Sequence, residues 1–283
     1  MAKGIKGIKG LLALMLALML AGCGAGEARA DAGATVALPV IMYHAVLKDP
    51  ARSGEYVITP ERLEEDLRWL QDHAYTSVRV EELLDFVYYG IPLPEKPVLL
   101  TFDDGHLNNL TYAVPLLQKY GMTAVISVVG EYTRAYSENP DPNPGYAYLT
   151  WEDLRLVSQS GVLEVANHSN AMHRQTPRKG CGRLSGESDV NYRLALTRDV
   201  MTLQQALWEN CGVSCKVFTY PFGHVSKGAE EILRELGFEC TLSCEEKISQ
   251  LTFGDEDSLF LLGRYNRSGR LSTEAFMNKM GLQ

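Results

Sequence analysis

Two adjacent aspartates, Asp103 and Asp104, stand between a β-forming run and a glycine in the sequence Thr-Phe-Asp-Asp-Gly. Neighbouring side chains point in different directions, so one carboxylate can bind a metal ion while the other takes a proton from water. The same residues also form ordinary turns after strands, because Asp and Gly both favour turns. The pair therefore predicts a reactive site only in combination with other residues.

A second polar group lies in His168-Ser-Asn-Ala-Met-His173. Two histidines at this spacing do not share one face of a helix, but on a loop leaving a strand they can close on one ion. Isolated loop histidines are more often simply exposed. One aspartate with two histidines, however, forms a ligand set that leaves positions open for water. Zinc is the first expectation for such a set, and Co, Ni, Fe or Mn could substitute.

The elements that must position these residues alternate between short apolar runs and amphipathic stretches. Helix starts are predicted at Thr59-Pro60 and at Thr150, and polar loops over 130–149 and 174–186. The predicted strands cover 39–43, 97–102, 123–129, 162–166, 215–219, 239–242 and 260–264, and further helices cover 108–120, 189–209, 229–236 and 273–280. Strands and helices in this repeated order predict a single α/β domain over 39–283 with a parallel sheet.

The predicted polar residues follow strands at their carboxyl ends. This holds for Asp103, for His168, for His44 after the first strand and for the segment 220–223 after the strand ending at Thr219. In parallel barrels and open α/β sheets these ends share one face, where active sites form. Residues distant in sequence are therefore expected to converge there.

The order Thr-Phe-Asp-Asp-Gly, His-Ser…His and Tyr-Pro-Phe-Gly resembles the polysaccharide deacetylase family, carbohydrate esterase family four with the NodB homology domain. The segment 38–44 also resembles the opening of many members, and the similarity covers roughly 38–270. The resemblance implies a distorted parallel (β/α) barrel and metal-dependent removal of N-acetyl groups from amino sugars. The spacing of the two histidines resembles the branch that acts on poly-N-acetylglucosamine.

The resemblance also implies roles for individual residues. Asp104, His168 and His173 match the metal ligands, and Asp103 matches the general base. Phe222 matches the aromatic residue of the third motif, where a backbone N–H would bind the oxyanion. Beside it, Tyr220 is expected to contact substrate.

The chain departs from the family pattern at two positions. No arginine begins the third motif, where Phe218-Thr219-Tyr220 stands, and no histidine follows residue 224 to act as the late general acid. The candidates for the acid are His44 first, His224 second and His106 third. Arg264 is expected either to contact substrate or to replace the missing positive charge near Asp103.

Aromatic residues in the predicted loop 130–149 form a candidate glycan-contact region. These residues are Tyr132, Tyr136, Tyr146 and Tyr148.

The N-terminus has the pattern of an export signal. Three lysines precede an apolar run over 11–20, and the run ends in Leu20-Ala-Gly-Cys23, which resembles the lipobox of bacterial lipoproteins. The prediction is a signal peptide over 1–22, a lipidated Cys23 and a flexible tether over 23–38, with an uncleaved anchor helix as the alternative. The protein would then lie outside the cytoplasm, anchored to the cell membrane by lipid.

Composition narrows the choice of partners. The chain has 283 residues, 46% hydrophobic and 22% charged, with a formal net charge of −8. Loss of 1–22 would remove three lysines and no acid, leaving about −11. A net acidic chain is a poor candidate for a nucleic-acid binder. Apart from Cys23 the five cysteines are an odd number, so at least one has no partner within the chain; buried structural cysteines are favoured over a four-thiolate zinc site.

The expected function is metal-dependent N-deacetylation of a bacterial surface or cell-wall glycan, either poly-N-acetylglucosamine or peptidoglycan. A catalytically impaired glycan-binding lipoprotein with the same fold is the first alternative, because two motif residues are missing. Hydrolysis of a small amide or cyclic imide is the second, and a scaffold protein explains the polar residues least well.

Overall fold

The computed structural model describes residues 29–283, so the predicted signal peptide and Cys23 lie outside the described residues. Within this range the chain forms a curled, mostly parallel sheet flanked by helices. The strands are β1 (Thr35–Leu38), β2 (Val40–Tyr43), β3 (Ala45–Val46), β4 (Val57–Ile58), β5 (Thr76–Ser77), β6 (Pro97–Phe102), β7 (Ala124–Val128), β8 (Leu163–Asn167), β9 (Val217–Thr219), β10 (Cys240–Leu242), β11 (Ser249–Thr252) and β12 (Tyr265–Asn266).

Most helices connect consecutive strands of this sheet. They are α1 (Pro60–Asp72), α2 (Val80–Tyr89), α3 (Val114–Tyr120), α4 (Gly130–Glu138), α5 (Trp151–Gln159), α6 (Asp189–Cys211), α7 (Ala229–Glu235) and α8 (Thr273–Lys279). Helix α1 begins as the sequence predicts, since Thr59 accepts a hydrogen bond from Arg62 N and proline follows it. None of the helices in 29–283 has the length and apolar character needed to span a membrane.

The strand order explains the barrel shape. The main sheet runs β10–β9–β8–β7–β6–β2–β12, with β5 paired to β6, and all of these pairs are parallel. Leu242 at the end of β10 forms a parallel bridge with Leu262, shortly before β12. The two edges of the sheet therefore approach each other, which confirms the predicted distorted parallel barrel in a single α/β domain.

The strands bury both faces, as parallel strands covered by helices must. Successive residues of a strand alternate between two apolar clusters. Leu100 and Phe102 belong to the cluster that includes the outer helices, whereas Leu99 belongs to a second cluster with α2 and β10. Thr101 and Asp103 continue the parity of Leu99, so Asp103 points away from the outer helices.

Three predicted boundaries are wrong. Residues 35–38, assigned to the tether, form β1 and pair antiparallel with β11, so the fold begins before residue 39. The first part of the predicted loop 130–149 is α4. The strand predicted over 260–264 is β12, displaced to Tyr265–Asn266, and only the bridge at Leu262 falls in the predicted range.

Candidate functional site

The aspartate pair lies on a tight turn directly after β6. Asp104 and Gly105 both adopt left-handed backbone angles, with φ of 73° and 72°. This turn reverses the chain at the carboxyl end of the strand and leaves Asp103 buried, with 2% exposure, while Asp104 is half-buried. The two carboxylates consequently face different partners.

Asp104 faces the two histidines that follow β8. Its Oδ1 lies 3.1 Å from His173 Nε2 and 3.6 Å from His168 Nε2. These three donor atoms all lie within 4.8 Å of one another. The structure thus brings together the three residues for which the sequence predicts a metal site.

The donor set fits a divalent cation. Asp104 Oδ1 is buried and has no hydrogen-bond partner among the described residues. Ligand atoms about 2.0–2.2 Å from a tetrahedral zinc ion lie about 3.4 Å apart, and the two distances from Asp104 bracket that value. A carboxylate oxygen and two imidazole nitrogens are ligands that zinc and its neighbours in the transition series accept.

Hydrogen bonds fix the orientation of both histidine rings. His168 Nδ1 lies 2.7 Å from the backbone carbonyl oxygen of Thr219, at the end of β9, so Nδ1–H donates there and Nε2 is free to bind a cation. His173 Nδ1 lies 3.4 Å from the hydroxyl of Tyr132 on α4. Burial lowers the pKa of His168 to about 4, against the opposing effect of Asp103, so its ring is neutral at neutral pH.

Asp103 is held by a fully buried arginine. Arg264 Nη1 and Nη2 donate to the two carboxylate oxygens of Asp103 at 2.7 and 2.8 Å, and Arg264 is 0% exposed. Burial raises the pKa of Asp103, but the positive charge of Arg264 and its hydrogen bonds outweigh this and hold the pKa below its ordinary value. Asp103 is therefore an ionised carboxylate of fixed orientation.

Arg264 is in turn fixed by other groups. Its Nε donates to the carbonyl oxygen of Ser243 at 2.7 Å, and Nη1 lies 3.2 Å from Thr101 Oγ1. The structure brings Arg264 against Asp103, the position for which the sequence lacks an arginine in the third motif. Because the side chain is fully buried, the alternative expectation that it contacts substrate does not fit this structure.

The two aspartates and both histidines open into one cavity of about 800 Å³. His44, after β2, lines this cavity with its ring edge-on to Tyr56, at 4.8 Å between ring centroids. Burial lowers the pKa of His44, and the charges of Asp103 and Asp104 oppose this effect. His44 Nδ1 is buried without a hydrogen-bond partner among the described residues.

The third motif contributes one residue to the cavity. Phe222 has a left-handed backbone, with φ of 57°, and its ring lies 4.5 Å from the ring of His173. Tyr220, by contrast, is 0% exposed and packs in the core against Phe218, so it cannot contact substrate as predicted. Tyr220 directly follows β9 and is buried like the residues of that strand, which explains why it does not face the cavity.

The other predicted residues divide between the cavity and its surroundings. Tyr146 and Tyr148 line the cavity, and Tyr132 and Tyr136 pack on Tyr148 with ring centroids 4.6 and 5.6 Å apart. His224 is exposed and does not line the cavity, which leaves His44 as the better placed candidate for the acid.

Sequence reasoning missed one segment that lines the cavity. Arg52, Glu55 and Tyr56 lie on the segment between β3 and β4, and Arg52 Nη1 donates to the carbonyl oxygen of Gly145 at 2.8 Å. No motif marks this segment. Only its position after the strand that carries His44 could have indicated it.

The chain is similar in sequence to known proteins. The sequence model of the family described as polysaccharide deacetylase matches residues 90–241. A poly-β-1,6-N-acetyl-D-glucosamine N-deacetylase of Escherichia coli K12 is 26% identical over 228 residues, which is 74% of this chain and 34% of that protein. The chain thus spans about a third of the length of this curated relative.

Solved structures share the fold. A de-N-acetylase from Aggregatibacter actinomycetemcomitans superposes with a TM-score of 0.72 at 22% identity, covering 86% of this chain and 99% of that chain. IcaB from Ammonifex degensii gives a TM-score of 0.67 at 24% identity, covering 87% and 96%. At these identities the likeness concerns the fold.

Proposed function

The chain belongs to the polysaccharide deacetylase family, and we propose that it is a metal-dependent N-deacetylase of an amino-sugar polymer. The expected substrate is a poly-N-acetylglucosamine or the peptidoglycan of a bacterial cell surface. One observation carries the proposal: an ionised Asp103, fixed by Arg264, lies beside the Asp104–His168–His173 group at the base of one cavity. A protein that only binds glycan has no need of a fixed, buried base next to a cation site.

The proposed reaction adds water to the acetyl carbonyl carbon and breaks its bond to the sugar nitrogen, giving acetate and a free amine. When bound by Asp104, His168 and His173, a divalent cation supplies a Lewis acid that polarises the carbonyl and lowers the pKa of water. Asp103 takes the proton from the attacking water. Arg264 holds both oxygens of Asp103 and prevents its carboxylate from turning away.

Two further groups complete the proposed chemistry. The backbone N–H of Phe222 is the candidate donor to the developing oxyanion, since its turn lies against His173. His44 is the candidate that gives a proton to the departing nitrogen, because it lines the same cavity after a neighbouring strand. His106 and His224 are less suited, since His106 faces Asp104 and His224 lies outside the cavity.

The support from relatives favours poly-N-acetylglucosamine over peptidoglycan. Acetate release from N-acetylglucosamine oligomers and from purified peptidoglycan, measured side by side, tests this choice. We expect faster release from the β-1,6-linked oligomers. Release from peptidoglycan alone would contradict the preference for poly-N-acetylglucosamine but not the chemistry, whereas release from small amides alone would favour the alternative hydrolase.

We also propose that the mature protein is held outside the cytoplasm by lipid on Cys23. This rests on the lipobox-like sequence alone, since Cys23 lies outside the described residues. Mass spectrometry of the N-terminal peptide should show a diacylglyceryl group on Cys23, and Cys23→Ser should release the protein from membranes. An intact N-terminus with residues 1–22 attached would contradict the proposal.

A further inference from the structure

His106 is the histidine of the cavity that the proposed mechanism leaves without a role. It follows the aspartate pair in Asp103-Asp104-Gly105-His106, and its side chain lines the cavity. From the sequence it is a third candidate for the general acid or a simple turn residue. Its contacts indicate a different function.

The carboxylate of Asp104 divides its two oxygens between different partners. Oδ1 faces His168 and His173, whereas Oδ2 lies 3.5 Å from His106 Nε2. His106 is not within the group of donor atoms that lie within 4.8 Å of one another. Its nitrogen therefore approaches the oxygen of Asp104 that does not face the histidine pair.

The ring of His106 is fixed in this position by the chain around it. It stacks on Tyr148, with ring centroids 4.8 Å apart and an interplanar angle of 25°. His106 and Tyr148 also form an antiparallel bridge, and the hydrogen bonds Leu107 N to Ala147 O and Leu149 N to Gly105 O, both 2.8 Å, flank it. The turn after β6 and the segment before α5 thus hold the ring as one unit.

We propose that His106 is a positioning residue for the metal ligand Asp104. Nε2–H of His106 would donate to Asp104 Oδ2, which keeps Oδ1 turned towards the cation and limits rotation of the carboxylate. Partners of this kind orient the ligand, and their loss commonly weakens metal binding 10- to 100-fold. The inference rests on the proposed function, because it assumes that Asp104, His168 and His173 bind the cation.

Zinc affinity of the full-length protein, measured by competition with a chromogenic chelator, tests the inference without reference to activity. His106→Phe keeps an aromatic ring against Tyr148 but removes the donor, and should weaken zinc binding by about tenfold or more. His106→Gln can place an amide N–H near the position of Nε2 and should remain within about threefold of the unchanged protein.

The matched control is His73, another half-buried histidine stacked on an aromatic ring, at 3.7 Å from Trp69, but outside the cavity. His73→Phe should leave zinc affinity unchanged. The visible spectrum of the cobalt-loaded protein should keep the same bands in His106→Phe, because the ligand set is the same.

Three results would overturn the inference. They are unchanged zinc affinity in His106→Phe, an equal loss in His106→Gln and His106→Phe, or a changed cobalt spectrum that identifies His106 as a ligand. Failure of the proposed function appears separately: Asp104→Ala would then bind zinc as tightly as the unchanged protein.

Discussion

Asp103 depends on a residue far away in the sequence for its charge and its orientation. Arg264 contributes two hydrogen bonds of 2.7 and 2.8 Å to a carboxylate that is 2% exposed. Burial alone would favour the protonated acid, which cannot act as a base. Arg264 therefore keeps the carboxylate of Asp103 ionised and fixes its orientation. It does so although the third motif of this chain has no arginine.

Two substitutions of Arg264 should separate the effect of its positive charge from the effect of its paired hydrogen bonds to Asp103. Arg264→Leu leaves a buried carboxylate without a partner, so the free energy of unfolding should fall by about 3–5 kcal/mol and kcat/KM by about 100-fold or more. Arg264→Lys keeps the positive charge but loses the paired hydrogen bonds. Its free energy of unfolding and its kcat/KM should lie between those of Arg264→Leu and those of the unchanged protein. Urea unfolding and acetate release measure the two effects.

Arg193 is the control for this experiment. It forms surface ion pairs with Glu231, at 3.6 Å, and with Glu235, and it does not line the cavity, so Arg193→Ala should change neither quantity measurably. Full activity in Arg264→Leu would show that Asp103 needs no positive partner, and would contradict the role given to the pair.

The assignment of the general acid can be tested at one residue. His44→Ala should lower kcat by about 100-fold or more, because the leaving nitrogen then departs without a proton, while KM changes little. His224→Ala is the matched control, since His224 is exposed and outside the cavity, and should retain full turnover. Unchanged turnover in His44→Ala would remove His44 from the mechanism.

At the scale of the elements, the strands determine which residues meet. The sequence predicts β2, β6, β8 and β9 well, because each is a short apolar run, and the polar residues after them converge as parallel strands require. The metal-site residues could therefore be grouped from sequence. For Arg264 the sequence leaves two alternatives, a substrate contact or a positive charge near Asp103, because the choice depends on how the last segment closes the barrel; the structure confirms the second.

The misplaced elements have local physical reasons. The sequence predicts a loop where α4 stands, because Gly130 begins the segment and several prolines follow Glu138 among polar residues. The helix buries only Gly130 and Thr133, so it shows no clear apolar period. The apolar residues of 260–264 predict the last strand there. Leu262 and Arg264 are buried there without continuous strand pairing, whereas β12 is only half-buried.

A second buried ion pair joins elements from the two ends of the fold. Asp66 on α1 accepts hydrogen bonds from Arg267 Nε and Nη2 at 2.7 and 2.9 Å, and from Thr273 Oγ1 at 2.7 Å. Both charged side chains are essentially unexposed. Arg267 N also donates to Met42 O, so the pair fixes the segment after β12 to both α1 and β2.

Breaking this pair should cost stability without altering Asp104, His168 or His173. Arg267→Leu leaves Asp66 buried and unpaired, and the free energy of unfolding should fall by about 3–5 kcal/mol. Lys216→Ala, which removes an exposed pair with Glu239, should have no measurable effect in the same urea titration. A loss in Arg267→Leu no larger than in Lys216→Ala would contradict the structural role.

Residues 29–283 form a barrel whose first strand, β1, lies outside the main sheet. Strand β1 pairs with β11 in register from Thr35–Thr252 to Leu38–Ser249, and Leu38 is 0% exposed. Residues 35–38 follow a stretch rich in Ala and Gly, so in the sequence they resemble the end of a flexible tether. The pairing partner lies more than two hundred residues later, which explains why this strand could not be predicted locally.

Two truncated chains test this boundary. A chain that begins at Gly33 keeps β1, whereas one that begins at Pro39 loses the strand and the buried side chain of Leu38. The shorter chain should be less stable by about 2 kcal/mol or more, from the lost burial alone. Equal melting temperatures of the two chains would contradict the inclusion of β1 in the fold.

We propose that Asp103 acts as a base beside a cation held by Asp104, His168 and His173. The most direct test is acetate release from β-1,6-linked N-acetylglucosamine oligomers by the metal-stripped protein, before and after reloading with zinc or cobalt, with Asp103→Asn measured in parallel. We predict release only after reloading, and a fall of about 100-fold or more in Asp103→Asn with the cation still bound. Zinc bound tightly through the three ligands, with no release from any acetylated amino sugar, would contradict the claim and identify a glycan-binding protein.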